Sequence, residues 1–96
     1  MSLDDGVVLI VEDEADDRDL LARAFKRAGI DVPLRFAKDG DEAVDYLEGV
    51  VADASRASPF IILLDLKLPR RSGFEVLEWV KQSARLRRIP VIILTS

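Results

Sequence analysis

The chain has 96 residues, 33% of them charged and 49% apolar, and a net charge of −4. That is one small domain with a single core, and its balance gives no general electrostatic case for nucleic acid or an anionic membrane as partner. There is no cysteine and no histidine, which excludes disulfides, thiolate metal sites and imidazole catalysis, so any metal must be a hard cation held by oxygen.

No stretch is long enough to span a bilayer and the N-terminus has no signal-peptide pattern, so the expected compartment is the cytoplasm. Val7-Val8-Leu9-Ile10-Val11 is an apolar run that ends in Glu12-Asp13-Glu14, and it reads as a strand buried on both faces. A helix is expected from Ala15 to Ala28, with Leu21, Ala24, Phe25 and Ala28 at helical spacing. Acids fill its first half (Asp16, Asp17, Asp19) and bases its second (Arg23, Lys26, Arg27), which suits the helix dipole and solubility. Gly29 is placed to end it in the left-handed conformation.

Residues 32–37 alternate apolar and polar and carry Pro33, as a strand at a sheet edge can. Lys38-Asp39-Gly40 is a turn, and Asp41 is expected to begin the next helix, with Ala43, Val44, Leu47 and Val51 facing inward. Residues 52–58 form a polar loop. Pro59-Phe60-Ile61-Ile62-Leu63-Leu64-Asp65 then gives a second doubly buried strand that stops at a carboxylate. Taken alone, Asp65 fits a helix cap or turn as well as a functional role.

A basic loop, Leu66 to Ser72, cannot be helical through Pro69. Ser72, with Glu75 three residues on, predicts a capped helix to about Ala84, with Val76, Leu77 and Val80 inward and Phe74 and Trp79 partly buried at its margins. Arg85, Arg87 and Arg88 read as a solvated connection. Val91-Ile92-Ile93-Leu94 is a last apolar strand, ending in Thr95-Ser96. The order βαβαβαβ predicts an α/β fold, a doubly wound parallel sheet with right-handed crossovers.

Three of these strands end in Glu12-Asp13, Asp65 and Thr95-Ser96, and neighbours in one parallel sheet would bring those groups to a single rim, where ligands bind in such sheets. Two unit charges about 4 Å apart at an effective dielectric of about 20 cost on the order of 4 kcal/mol. A raised pKa or a bound cation relieves that cost. With oxygen ligands alone, Mg²⁺ is the natural cation, and a carboxylate beside it can act as a nucleophile towards phosphorus.

The pattern resembles the receiver domain of two-component response regulators. Glu12-Asp13 matches that family's acidic pair, Asp65 its phosphoacceptor and Thr95 its switch hydroxyl. Lys67 matches the residue whose backbone carbonyl completes the Mg²⁺ site, and Pro69 and Gly73 match the loop pattern Asp-x-x-x-Pro-x-x-x-Gly. Leu9-Ile10-Val11-Glu12-Asp13-Glu14, the loop before Pro59 and the stretch from Leu86 to Ser96 are similar to the phytochrome-associated single-domain subgroup.

The resemblance implies a flavodoxin/CheY-like three-layer sandwich with strand order 2-1-3-4-5, an order that comes from the family and not from these residues. It implies a phosphoacceptor and not a classical enzyme, taking a phosphoryl group from a sensor histidine kinase, of phytochrome type if the subgroup holds. It also implies that residues 1–96 are one receiver domain lacking the last helix-strand-helix portion and its phosphate-facing lysine. The strand at 91–94 would then be a bare edge open to a homodimer or swapped assembly. Two other readings remain: a receiver-like binding or assembly module that is not phosphorylated, and a metal-dependent phosphatase. The phosphatase reading is weakened by Lys67, which stands where such enzymes usually carry a second acid.

Overall fold

A computed structural model describes residues 6–53 and 55–94. The elements follow the expected order: β1 (Val7–Val11), α1 (Ala15–Arg27), β2 (Leu34–Ala37), α2 (Gly40–Ala52), β3 (Pro59–Asp65), α3 (Gly73–Gln82) and β4 (Val91–Leu94). All strand pairs are parallel and the sheet order is β2-β1-β3-β4. The doubly wound α/β expectation is therefore met over these residues, with β1 and β3 central and β2 at an edge.

Parallel strands without alternation need cover on both faces, and the two faces are covered unequally. On one, Leu9, Val11, Ile62 and Leu64 pack with Ala43, Val44, Leu47 and Val50 of α2 and with Val76 and Val80 of α3. On the other, Val8, Ile10 and Leu63 meet Leu21 and Phe25 of α1, which are only half-buried. Not one residue of α1 is fully buried. Ala24 and Ala28, expected in its inner stripe, are exposed, because α1 meets the sheet along the narrower line of Leu21 and Phe25.

Side-chain caps mark where α2 and α3 start. Asp39, not Asp41, caps α2 by accepting the Glu42 N–H at 2.7 Å. The helix therefore begins one residue earlier than expected, and its inward stripe runs through Val50, while Val51 is 43% exposed. Ser72 caps α3 as expected, accepting the Glu75 N–H at 3.2 Å. Phe74 is 64% exposed, against the expectation of partial burial, whereas Trp79 is partly buried. α1 closes as the sequence predicts, with Gly29 at φ 73°.

Arg85 is not a free solvated charge: its guanidinium donates to the carbonyls of Asp53 (3.2 Å) and Arg56 (2.9 Å) and so ties down the loop before β3. Among the described residues, no helix is long and apolar enough to cross a membrane.

The unequal cover has an energetic consequence. Leu47→Ala, at a fully buried site, is expected to cost about 2–5 kcal/mol. Leu21→Ala on the thin face should cost less, and urea unfolding of both variants checks the order.

Candidate functional site

β1 and β3 pair in parallel with Val11 opposite Leu64. The residues that follow, Glu12 and Asp65, therefore leave the sheet side by side at its carboxyl rim. Carboxylate oxygens of Glu12, Asp13 and Asp65 all lie within 4.8 Å of one another. Glu12 and Asp65 are each 5% exposed, and Asp13 is intermediate. The structure thus brings together three of the carboxylates singled out in the sequence.

Backbone contacts hold them there. The Glu12 N–H donates to the Ala37 carbonyl at 3.0 Å, extending the β1–β2 ladder, and Arg18 of α1 donates to the Glu12 carbonyl at 2.9 Å. Glu12 Oε2 accepts the Asp13 N–H at 3.1 Å, and Asp65 Oδ1 accepts the Lys67 N–H at 3.0 Å. That last bond makes an Asx-type turn, which re-aims the chain directly after β3.

The loop returns at Gly73, whose N–H donates to the Leu66 carbonyl at 3.2 Å. A Cβ at Gly73 would run into the Asp65 carbonyl oxygen and lie 2.6 Å from Leu66 Cα. Glycine is therefore required there by close backbone approach.

Crowding of the carboxylates has an electrostatic result. Burial, helped by the neighbouring Asp65 and Asp17 carboxyls, pushes Glu12 up to about 8. Ionising it would add a charge to a site with two acids already beside it. Asp17, read from the sequence as a dipole-complementing surface acid, is thus part of the site's electrostatic surroundings. Its place in the first turn of α1, just behind the acidic pair, is the signal that could have marked it.

Asp39 was also missed. It is buried at the end of β2 and lies 3.7 Å from Arg70, a non-glycine residue at φ 66°. Beside it, Arg71 pairs with Asp41 at 3.3 Å. These contacts tie the loop after β3 to the start of α2.

The donor set is oxygen-only, anionic and half enclosed, which fits a hard divalent cation. Lys67 lies in the loop immediately after Asp65, with its side chain exposed. Thr95, assigned the switch hydroxyl, lies outside the described residues.

With this geometry in hand, the comparisons with known proteins are specific. The family model described as response regulator receiver domain matches residues 8–96. The chain is 42% identical over 93 residues to the probable methanogenesis regulatory protein FilR2 of Methanothrix harundinacea, covering 97% of this chain and 59% of that one. It is 40% identical over 90 residues to the response regulator Rcp1 of Synechocystis, covering 94% and 61%. It therefore spans about three-fifths of the length of these curated relatives.

Among solved structures, the bacteriophytochrome response regulator AtBRR superposes with a TM-score of 0.85 at 42% identity, over 95% of this chain and 66% of that one. The Mn²⁺-bound form of Rcp1 gives 0.83 at 40% identity, over 94% and 65%. The phosphorylated cyanobacterial phytochrome response regulator RcpA gives 0.80 at 39% identity, over 94% and 64%.

The raised Glu12 carboxyl sets a pH dependence. Below about 4.5 folded and unfolded chains both hold the proton; between there and about 8 the folded chain alone holds it, so stability falls as pH rises through that window. Thermal melts of metal-free protein should show this decline, and Glu12→Gln should flatten it. An unchanged slope in the variant would contradict the assignment.

Proposed function

This chain belongs to the response regulator receiver family, and from that premise we propose that it is a phosphorylation switch whose acceptor is Asp65. The observation that carries the reading is the convergence of Glu12, Asp13 and Asp65 at one buried rim. Mg²⁺ is the cation we assign: the carboxylates of Asp13 and Asp65 and the backbone carbonyl of Lys67 would hold it, and Glu12 would orient its water. When bound, it supplies neutralising charge for the transferring phosphoryl oxygens.

The remaining chemistry belongs to the chain. An Asp65 carboxylate oxygen attacks phosphorus, an O–P bond forms, and the N–P bond to the donor imidazole breaks with its electron pair going to nitrogen. The Lys67 N–H fixes the orientation of the Asp65 carboxylate during attack. The Thr95 hydroxyl then bonds a phosphoryl oxygen of the product and biases the conformation that a partner reads. The donor in this reading is a sensor histidine kinase. Similarity to AtBRR and RcpA, both described as phytochrome response regulators, supports a phytochrome-type kinase. Residues 1–96 act as one receiver unit in the cytoplasm.

A second reading, assembly of like chains, is favoured by β4. Among the described strands β4 pairs on one side only, with β3, and its Ile92 is 47% exposed. Such an edge can pair with a second copy.

Intact mass before and after incubation with acetyl phosphate and Mg²⁺ tests the first reading. One phosphoryl increment is expected, lost in Asp65→Asn and lost with chelator. No increment on the unaltered chain would overturn it. Sedimentation tests the assembly reading: concentration-dependent dimers that Ile92→Lys disperses are expected, and a monomer at all concentrations would reject it.

A further inference from the structure

A cavity of about 430 Å³ opens between α2 and the end of α3, and one of about 250 Å³ adjoins it along α3 and Arg71, the two sharing Trp79 and Gln82. Together they make one groove on the face of the molecule built by the thicker core. Its apolar floor is Val51 and the half-buried Trp79. Three carboxylates line it: Glu48 in the first cavity, and Glu75 and Glu78 in the second. Among the described residues none of the three is in an ion pair, and the one base in the lining, Arg71, is paired with Asp41.

We propose that this groove docks a basic amphipathic segment of a partner protein. An apolar side chain of that segment enters between Val51 and Trp79, and its lysines or arginines face Glu48, Glu75 and Glu78. Charge complementarity argues for the occupant: an apolar floor within unpaired acids selects an apolar anchor flanked by cations. Trp79 adds an aromatic face on which a cation can also rest.

A second copy of the chain fits less well. The bases of its α1 share that helix with Asp16, Asp17 and Asp19, and the run from Arg85 to Arg88 has Leu86 buried and Arg85 already engaged. The surface does not depend on phosphorylation of Asp65, so it stands or falls separately from the proposed switch.

Trp79 is the sole tryptophan of the chain and reports on the groove directly. The probe is an amphipathic peptide of about fifteen residues with leucine and lysine at helical spacing, beside a leucine–glutamate peptide of the same pattern. The lysine peptide should shift Trp79 emission saturably, and the glutamate peptide should not. Glu48→Lys/Glu78→Lys should weaken binding by about tenfold or more, whereas Asp16→Lys/Asp19→Lys, with the same change in net charge on α1, should leave it within about twofold.

Val51→Arg, which puts a cation on the floor, should also abolish the shift and keeps the test sound if the double variant is unfolded. Equal weakening by both double variants would mean attraction to net charge alone and would overturn the proposal. A peptide-free emission change that grows with protein concentration and disappears in Glu48→Lys/Glu78→Lys would assign the groove to a second copy instead.

Discussion

The site depends on register. β1 and β3 are paired so that Val11 faces Leu64, and side chains alternate across a sheet with a period of two. Slipping either strand by one residue would send Glu12 and Asp65 to opposite faces, and it would also turn Leu9, Val11, Ile62 and Leu64 out of their shared core. The same apolar packing that stabilises the sheet therefore sets the spacing of the carboxylates. Function and stability are not separable at this pair of strands.

The cost of that arrangement is electrostatic. Two nearly buried acids and a third beside them are held together by main-chain geometry rather than by mutual attraction, and the Glu12 carboxyl responds by holding its proton to about 8. A group so placed is a strong candidate for function, since an apolar pair would pack the same space without the penalty. The chain belongs to the receiver family, and among its solved relatives one is described as Mn²⁺-bound and another as phosphorylated.

Much of this was legible in the sequence. Unbroken apolar runs gave the bounds of β1, β3 and β4, and the carboxylates directly after β1 and at the end of β3 marked the rim. What the sequence hid were choices between equal local signals. Asp39 and Asp41 are both good caps, and the geometry of the turn selected Asp39. Val50 and Val51 both continue the stripe of Ala43, Val44 and Leu47 at helical spacing, and only packing against the sheet decides that Val50 is the buried one. Ala24 and Ala28 carry the period of an inner stripe, but contact with the sheet is made by the larger Leu21 and Phe25 alone. Asp17 reads as one of several surface acids until the fold sets it against Glu12. The roles of the Lys67 carbonyl and Thr95 came from family resemblance, not from any local physical signal.

The thin cover of α1 bears on motion. At the acidic rim, Gly73 packs directly against the backbone of Asp65 and Leu66. α1, a helix with no fully buried side chain, reaches the same rim through the Arg18–Glu12 contact. Segments with few buried contacts open at low free energy without global unfolding. The α1 side of the rim therefore opens at lower free energy than the β3 side, where glycine packs backbone against backbone.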